Sequence, residues 1–362
     1  MAVYRKLGLV AGTRPNFVKA AALIRAIGAR RAPVAFIHTG QHYDALLSDA
    51  FLQPLGLPEP GYHLDVGPGP RGEQFGQIVE RLSRLLRTLD LDLLIVVGDV
   101  TSTAAAAIAG DASDVAIAHV EAGLRSFDET MPEERNRRVV DTLARLLFVT
   151  EPAGVDNLRR EGRDSRDIHL IGNVMIDTLF RFRADVKRWR AWEAQGVVER
   201  EYALATLHRP SNVDEAGTLA ESLAVLGHVA HRWPVLFSAH PRTQQRLREF
   251  ALPLPDDVRL LPPLGYFEFI SLMSGARTVL TDSGGAQEET SALGIPCFTM
   301  RETTERPITV ELGTSRLVGR SIERVDQALA ELDAGRLDRV AEIPLWDGHA
   351  AERITEILLG SA

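Results

Sequence analysis

Cysteine is almost absent from the sequence, and two further absences narrow the class of protein. Cys297 is the single cysteine among 362 residues, which excludes an intrachain disulfide and a cysteine-rich zinc site. No apolar run is long enough to span a membrane. With a net charge of −8 at pH 7, the chain also lacks the basic excess that general binding to nucleic acid or to anionic membrane requires. Any anion-binding site must therefore be local.

Several common catalytic motifs are missing as well. The chain has no His-Glu-x-x-His zinc pattern, no Gly-x-Ser-x-Gly nucleophile elbow and no Gly-x-x-x-x-Gly-Lys-Ser/Thr phosphate loop. A Gly-x-Gly-x-x-Gly fingerprint does not follow the first predicted strand, which argues against a tightly bound nicotinamide dinucleotide. The N-terminus lacks the apolar segment and cleavage site of an export signal, so we expect a cytoplasmic protein.

Short apolar runs alternate with longer helix-patterned segments from end to end, which is typical of parallel α/β sheets. The length is sufficient for two domains with a cleft between them. The predicted strands are Leu7–Val10, Val34–His38, Leu93–Val97, Val115–His119, Leu146–Val149, Ala203–Thr206, Val235–Ser238, Val258–Leu261, Thr278–Leu280 and Cys297–Met300. We predict a first domain over 1–177, a charged connector helix over 178–200, a second domain over 201–345 and a final helix over 346–362.

A phosphate-binding turn is predicted where the strand Thr278–Leu280 ends and a helix begins. Gly284 and Gly285 allow backbone N–H groups to approach an anion without an intervening Cβ, and Ser283 adds a hydroxyl. The glutamates that follow at 288 and 289 carry the wrong charge for a diphosphate, so one of them is better suited to accept hydrogen bonds from sugar hydroxyls. The candidate ligand is therefore a nucleotide-sugar.

Charged side chains follow other predicted strands, where ligands bind in doubly wound sheets. Arg14 and Lys19 lie in the turn after the first strand and could face a diphosphate, although the same turn is also ordinary helix-start chemistry. Asp99 could act as a base or simply as a helix N-cap. Glu121 and Glu133 could divide proton removal and delivery between them, or belong to a salt-bridged loop and helix start.

In the second half, His208 follows a strand and could serve as an acid, a base or a phosphate donor near neutral pH. Arg306, which follows the strand Cys297–Met300, is another candidate phosphate clamp. Cys297 itself is expected to be a small core residue.

Taken in order, these motifs resemble those of the UDP-N-acetylglucosamine 2-epimerase family over nearly the whole chain. The matching stretches are Gly12-Thr13-Arg14-Pro15 with Lys19, Thr39-Gly40-Gln41-His42, Gly98-Asp99, His119-Val120-Glu121-Ala122-Gly123-Leu124-Arg125, Pro132-Glu133-Glu134, Gly172-Asn173, His208-Arg209, Thr281-Asp282-Ser283-Gly284-Gly285-Ala286-Gln287-Glu288-Glu289 and Thr304-Glu305-Arg306-Pro307.

The resemblance implies a glycosyltransferase-B-like fold, in which two Rossmann-like domains face a central cleft. It also implies that neither a metal nor a nicotinamide cofactor takes part. The reaction of the family inverts C2 of the sugar and converts UDP-N-acetylglucosamine to UDP-N-acetylmannosamine through elimination of UDP, a glycal intermediate and re-addition. The expected partners are a UDP-sugar and a second copy of the chain in a homodimer, with no nucleic acid and no membrane.

The resemblance also implies roles for individual residues. The diphosphate and UDP binders would be Arg14, Lys19, His208, Arg306 and the amides of Ser283, Gly284 and Gly285. The acid–base carboxylates would be Asp99, Glu121 and Glu133, with His208 counted among the catalytic residues, and Glu289 would hold the ribose hydroxyls of uridine.

Departures from the family pattern leave other reactions open. The segment between Arg125 and Pro132 is short, and Ser48 stands where some members have a glutamine that helps to bind an activating substrate molecule. The alternatives are a hydrolysing epimerase that releases UDP and N-acetylmannosamine, an epimerase of a diacetamido uronate, a glycosyltransferase, or a catalytically silent UDP-sugar binding protein.

Overall fold

The computed structural model describes residues 4–40, 53–337 and 342–360. The chain divides into two compact units, each of which contains one parallel sheet. Unit 1 comprises Met1–Arg181 and Pro344–Ala362, and unit 2 comprises Phe182–Ile343. The predicted α/β class with two parallel sheets is therefore confirmed. None of the helices in the described ranges is long and apolar enough to cross a membrane.

Unit 1 is built on a seven-stranded sheet with the order β3-β2-β1-β4-β5-β6-β7. Its strands are β1 (Leu7–Ala11), β2 (Val34–His38), β3 (Tyr62–His63), β4 (Leu93–Val97), β5 (Ala116–Ala122), β6 (Leu146–Val149) and β7 (Ile168–Leu170). The helices that connect them are α1 (Arg14–Ala29), α2 (Arg71–Leu86), α3 (Thr101–Asp111), α4 (Pro132–Leu143), α5 (Pro152–Arg160) and α6 (Val174–Trp189). The chain order reverses between β1 and β4, which places a topological switch point beside the ends of these two strands.

The central strands of unit 1 are apolar because helices cover both faces of the sheet. Strands β1 and β4 are buried along their whole length, and β4 consists only of leucine, isoleucine and valine. They pair in parallel, with Leu7 opposite Leu93 and Leu9 opposite Ile95. The carboxyl ends of β1, β4 and β5 consequently lie side by side at one edge of the sheet.

Unit 2 repeats this plan with a six-stranded sheet in the order β10-β9-β8-β11-β12-β13. Its strands are β8 (Ala203–Thr206), β9 (Val235–Phe237), β10 (Val258–Leu260), β11 (Thr278–Thr281), β12 (Cys297–Thr299) and β13 (Ser315–Leu317). Its helices are α7 (Ala191–Ala194), α8 (Pro210–Val213), α9 (Ala216–Ala230), α10 (Pro241–Glu249), α11 (Tyr266–Gly275), α12 (Gly284–Leu293), α13 (Ile308–Glu311) and α14 (Ile322–Asp333). Cys297 lies in β12, between β11 and β13, and is buried, as predicted.

The end of the chain completes unit 1. Helix α15 (Ala350–Leu359) packs against α1, and the main-chain N–H of Tyr4 donates to the carbonyl of Leu358 at 3.0 Å. The carboxylate of Asp177 on α6 accepts hydrogen bonds from the first two amides of α15, Ala350 at 3.1 Å and Ala351 at 2.7 Å. Trp346 donates from Nε1 to the carbonyl of Thr150.

Candidate active site

In unit 1, Lys19 of α1 forms an ion pair with Glu121 near the end of β5. Lys19 Nζ contacts Glu121 Oε2, and both side chains are buried. Gly98, at the end of β4, borders this pair: a Cβ added at Gly98 would lie 3.5 Å from Lys19 Nζ and 3.7 Å from Glu121 Oε2. Two side chains that the sequence assigned to different roles, diphosphate binding and proton transfer, are thus in direct contact.

The backbone at Glu121 adopts a conformation that side chains rarely occupy. Its φ is +76°, and the pairing of β5 with β6 shifts by one residue between Val120 and Ala122. The bulge turns the Glu121 side chain onto Lys19 while the strand continues to Ala122, three residues beyond its predicted end. Backbone strain of this kind persists where the surrounding structure enforces it, and it concentrates at functional sites.

Asn16 fixes the start of α1, the helix that carries Arg14 and Lys19. Its Oδ1 accepts hydrogen bonds from the main-chain N–H of Thr13 at 3.2 Å and from the Thr13 hydroxyl at 2.9 Å. Its Nδ2 donates to the carbonyl of Val97 at 2.9 Å and so joins the start of α1 to the end of β4. Arg14 is half-buried at this turn, and burial lowers the pKa of its guanidinium. The turn is therefore a fixed part of the site.

Asp99 is held by α4. Its carboxylate pairs with the fully buried guanidinium of Arg137, and its carbonyl accepts from Asn136 Nδ2 at 2.7 Å. The N-cap of α3 is Val100, so the interpretation of Asp99 as a helix cap is wrong. Helix α3 begins at Thr101, and the hydroxyl of Thr103 donates to the carbonyl of Val97 at 2.8 Å.

Glu133 and Glu134 lie in the first turn of α4, behind Pro132, as the helix-start interpretation expects. The two differ in their surroundings. Glu134 is buried and accepts hydrogen bonds from the main-chain N–H of Ser126 at 2.7 Å and from the Ser126 hydroxyl at 3.0 Å. Glu133 is partly exposed. Glu134 therefore stabilises the loop that precedes α4, and Glu133 remains the candidate for chemistry.

A second charged network lies behind these carboxylates. His119 Nδ1 is 2.6 Å from Asp141 Oδ1, and His119 Nε2 is 2.9 Å from the carbonyl oxygen of Gly98. Asp141 Oδ2 is bound by Arg125 at 2.7 Å and by the main-chain N–H of Gly123 at 3.1 Å. Burial raises the pKa of Asp141, but the contacts with His119 and Arg125 outweigh burial and leave this pKa below its ordinary value.

In unit 2, the predicted phosphate-binding turn is the N-terminus of α12. Ser283 is the N-cap: its hydroxyl accepts from the main-chain N–H of Ala286 at 3.5 Å, and its own amide donates to Thr281 Oγ1 at 2.9 Å. The hydroxyl and the amide of Ser283 are thus engaged within the turn. The amides of Gly284 and Gly285 belong to the first helical turn, where no intrahelical acceptor exists and an anion can be bound.

Arg306 lies directly over this helix start. A Cβ added at Gly284 would lie 2.2 Å from Arg306 Nη1, so only glycine leaves room for the guanidinium. Arg306 Nε donates to Glu288 Oε1 at 2.6 Å, and both side chains are buried. The sequence singled out Arg306 and the glycines separately, and the structure brings them together.

Glu305 contacts three arginines, of which Arg306 is one. Its carboxylate contacts Arg301 at 2.6 Å, Arg209 at 3.3 Å and Arg306 at 3.6 Å. Burial raises the pKa of Glu305, but the three guanidinium groups outweigh it and hold this pKa well below its usual range. The cluster therefore concentrates positive charge beside the N-terminus of α12.

His208 is oriented by Asp282, the residue that precedes Ser283. His208 Nδ1 is 2.9 Å from Asp282 Oδ1, and Asp282 also accepts from the main-chain amides of His208 and Arg209 and from Asn212 Nδ2. Burial raises the pKa of Asp282, but the contact with His208 and these hydrogen bonds lower it below its ordinary value. With Nδ1 engaged, Nε2 is the ring atom of His208 that remains for a ligand.

Glu289 lies on α12 beside Tyr266. Glu289 is buried and Tyr266 is partly buried, and burial together with the charge of Glu289 raises the pKa of the Tyr266 hydroxyl well above its ordinary value. Across 4–40, 53–337 and 342–360, no group of three histidine, cysteine or acidic side chains is arranged to hold a metal ion. Gln41, His42 and Ser48, which the sequence comparison with the family singled out, lie outside the described residues.

Sequence reasoning did not assign a supporting role to the residues that hold the predicted ones in place. They are Asn16, His119, Arg137, Asp141, Asp282 and Glu288. One signal was available: Glu133, Arg137 and Asp141 follow each other at intervals of four on a helix that begins at Pro132, so they share one face.

A family model described as UDP-N-acetylglucosamine 2-epimerase matches residues 25–359. The UDP-N-acetylglucosamine 2-epimerase of Methanocaldococcus jannaschii is 37% identical over 362 residues, which cover 98% of each chain. The UDP-2,3-diacetamido-2,3-dideoxy-D-glucuronate 2-epimerase of Pseudomonas aeruginosa is 35% identical over 358 residues, covering 98% of this chain and 99% of that one.

Solved structures of similar fold belong to the same family as these relatives. The crystal structure of the M. jannaschii epimerase in complex with UDP-GlcNAc and UDP matches with a TM-score of 0.90 and 36% identity, over 98% of this chain and 99% of that one. The structure of the Neisseria meningitidis UDP-GlcNAc 2-epimerase bound to UDP-GlcNAc matches with a TM-score of 0.87 and 27% identity, over 98% and 100% of the two chains. The fold is therefore of the predicted glycosyltransferase-B-like class, and the chain belongs to the UDP-N-acetylglucosamine 2-epimerase family.

Proposed function

We propose that this protein interconverts UDP-N-acetylglucosamine and UDP-N-acetylmannosamine by elimination of UDP, a 2-acetamidoglucal intermediate and re-addition of UDP. The observation that carries the proposal is the contact of each of two strand-end carboxylates in unit 1 with a buried cation, Glu121 with Lys19 and Asp99 with Arg137. Family membership and the relatives bound to UDP-GlcNAc support the same reaction.

The chemistry requires proton transfer at a carbon atom while a diphosphate departs. The C2 proton of the sugar is weakly acidic, so a base must remove it as the anomeric C–O bond breaks and charge develops on UDP. We assign the acid–base work to Asp99, Glu121 and Glu133. Helix α4 supports this assignment because it bears Glu133 and also binds Asp99 through Asn136 and Arg137.

The leaving diphosphate needs cations and amides that are already in place. In unit 2, the first-turn amides of α12 at Gly284 and Gly285, Arg306 above them and His208 Nε2 supply these donors. We assign Ser283 to the architecture of this turn, Arg14 and Lys19 to binding of the diphosphate, and Glu289 to the ribose hydroxyls of uridine. Lys19 would then act on the diphosphate and on Glu121 at once, since it already contacts that carboxylate.

A second candidate substrate is a UDP-diacetamido uronate. The relative from P. aeruginosa that carries this activity in its name is nearly as similar to this chain as the M. jannaschii enzyme, at 35% against 37% identity. A third outcome is hydrolysis, in which the glycal escapes and UDP and N-acetylmannosamine are released, because retention of the intermediate depends on closure of the site.

Deuterium exchange separates these outcomes. The protein is incubated with UDP-N-acetylglucosamine in deuterated water, and the sugar is followed by NMR. Deuterium at C2 with UDP still attached supports the proposed epimerisation. Free sugar with free UDP selects the hydrolysing reaction. Unchanged UDP-N-acetylglucosamine, followed by exchange in the corresponding diacetamido uronate, selects the second substrate, and no exchange in either overturns the proposal.

The division of roles is tested with four variants. Asp99→Asn, Glu121→Gln and Glu133→Gln are expected to suppress C2 exchange by about 10²-fold or more while UDP binding measured by calorimetry stays within about threefold. Arg306→Ala is expected to weaken UDP binding itself, by about tenfold or more, because a charge-assisted contact is lost. An equal loss of UDP affinity in all four variants would contradict the assignment.

We further propose that the protein is a cytoplasmic homodimer that binds neither nucleic acid nor membrane. The net charge of −8 supports the last two points. Sedimentation equilibrium tests the dimer directly: the mass expected for two copies of the 39.7 kDa chain supports it, and the mass of one copy contradicts it.

A further inference from the structure

His119 is a buried titratable group to which the proposed reaction gives no role. Its side chain is fully buried, and it precedes Glu121 by two residues on β5. Each ring nitrogen is within hydrogen-bonding distance of an oxygen atom: Asp141 from α4 at 2.6 Å on one side, and the Gly98 carbonyl at the end of β4 at 2.9 Å on the other. The imidazole therefore bridges a helix to a strand end.

The partners of the two ring nitrogens determine which of these nitrogens carry a proton. A carbonyl oxygen can only accept, so His119 Nε2 must donate to Gly98. Asp141 Oδ2 already accepts from the cation of Arg125 and from the amide of Gly123, which favours the carboxylate form of Asp141. A carboxylate also only accepts, so His119 Nδ1 must donate as well. Both ring nitrogens then carry a proton.

The Gly98 carbonyl connects this bridge to the site. Gly98 has a φ of +72°, and a Cβ added to it would contact Lys19, Asn16 and Glu121. The next residue is Asp99, whose own carbonyl is held by Asn136 of the same helix that carries Asp141. If Gly98 rotated, it would displace both the Lys19–Glu121 pair and Asp99.

We propose that His119 is a positioning residue that acts as a buried imidazolium, held by Asp141 and clamping the Gly98 carbonyl so that Glu121 and Asp99 keep their places. The inference rests on the proposed epimerase function for its kinetic consequence. The protonation of the ring does not depend on that function. The charged groups around the ring are Asp141, with Arg125 beyond it, and the Lys19–Glu121 pair beyond Gly98.

Two substitutions test the two hydrogen bonds of His119 separately. The amide nitrogen of asparagine matches the position of Nδ1, so His119→Asn keeps the bond to Asp141 and abandons Gly98. The amide nitrogen of glutamine matches Nε2, so His119→Gln keeps the bond to Gly98 while Asp141 retains Arg125 and Gly123. We expect His119→Asn to lower kcat by about tenfold to a hundredfold with KM within about threefold, and His119→Gln to retain kcat within about threefold.

If His119 acted only through its bond to Asp141, kcat would fall more in His119→Gln than in His119→Asn. If His119 only filled space, kcat would fall equally in both variants. Either result overturns the clamp, as does a wild-type kcat in His119→Asn. The matched control is His169→Gln, the same substitution on the half-buried histidine of β7, which is expected to leave kcat unchanged. Urea unfolding of each variant identifies losses that arise from misfolding.

The protonation state is read independently of activity. The protein is labelled with ¹⁵N at histidine, and the His119 signals are assigned by their absence in His119→Gln. At pH 7 we expect both ring nitrogens to show directly bonded protons. A ring with one protonated nitrogen at this pH overturns the inference. If the wild-type protein failed to exchange deuterium at C2, the proposed function would fail while this measurement still decided the state of His119.

Discussion

At the scale of single residues, the charged side chains of both units are held by buried partners of opposite charge. Lys19 with Glu121 and Arg306 with Glu288 are pairs in which both members are buried. Removing one member of such a pair leaves an uncompensated charge and is strongly destabilising, by roughly 3–5 kcal/mol. The pairs are therefore weak evidence for stability but good evidence for positioning, since each cation is fixed at a candidate ligand site.

Gly284 is expected to control the position of Arg306. An alanine Cβ at this position would meet the guanidinium at 2.2 Å, and the flexible end of Arg306 would have to move away. We expect Gly284→Ala to weaken UDP binding by about tenfold or more, because the displaced arginine loses a charge-assisted contact. Stability should fall as well, because displacing Arg306 disturbs its buried ion pair with Glu288.

Calorimetry with UDP and urea unfolding check these two outcomes. The matched control is Gly217→Ala in α9, where no atom lies within 4 Å of the added Cβ and UDP binding should be unchanged. Unaltered UDP affinity in Gly284→Ala would show that Arg306 does not need its present position.

At the scale of elements, the ten strands predicted from apolar runs are all present, and the part of the chain that the structure describes contains three further strands that were not predicted. The unpredicted strands are β3, β7 and β13, which all lie at the edges of the two sheets. An edge strand is covered on fewer sides, so it needs no apolar run: Ile168–Leu170 and Ser315–Leu317 each contain a polar residue at the centre of three. These short segments become strands because they pair with a neighbouring strand. That neighbour is distant in sequence, so the local pattern of apolar residues does not predict the pairing.

The candidate site also contains residues that the sequence could locate and residues that it could not. Asp99, Glu121, His208 and the Ser283-Gly284-Gly285 turn could be located from the sequence, because each follows or ends an apolar run. Their partners on α4 could not, since Arg137 reaches Asp99 across 38 residues and Asp141 reaches His119 across 22. Contacts of this kind depend on how a helix packs on a sheet. Periodicity predicts the shared face of Glu133, Arg137 and Asp141 but not what that face meets.

Asp177 links two elements and makes their contact dependent on pH. It is a carboxylate of α6 that caps α15 through the amides of Ala350 and Ala351. Burial raises its pKa to about 6, against 3.8 for an ordinary aspartate, and the two amide hydrogen bonds oppose this rise only in part. The pKa of Asp177 is higher in the folded protein than in the unfolded chain. Its contribution to the free energy of unfolding is therefore fully present below pH 3.8 and is lost as pH rises through 6.

We therefore expect the stability difference between the wild-type protein and Asp177→Asn to fall by about 1 kcal/mol between pH 5 and 7.5. Urea unfolding with pulsed hydrogen exchange, read in the peptides of α15, measures it. Asp185→Asn, which changes an exposed carboxylate on α6, is the matched control. A difference that stays constant or grows with pH would show that the hydrogen bonds, and not burial, dominate at Asp177.

At the scale of the whole molecule, chain order and structural unit do not coincide. Unit 1 is formed by Met1–Arg181 together with Pro344–Ala362, so the last residues stabilise the first domain. Helix α6 continues through the boundary between Arg181 and Phe182. A substitution near the C-terminus should consequently act on a unit that lies far away in sequence.

Ile354 tests this arrangement. It is fully buried on α15, which packs against α1, so Ile354→Ala leaves a cavity within unit 1 and should destabilise it by about 2–5 kcal/mol. Hydrogen exchange read by mass spectrometry should rise in α1 and α15 and stay unchanged in α9 and α14. The matched control is Leu329→Ala, a buried leucine in the core of unit 2, for which the pattern should be reversed. If Ile354→Ala raised exchange in α9 and α14 as much as in α1, the two units would unfold together, and the division of the chain would have no energetic counterpart.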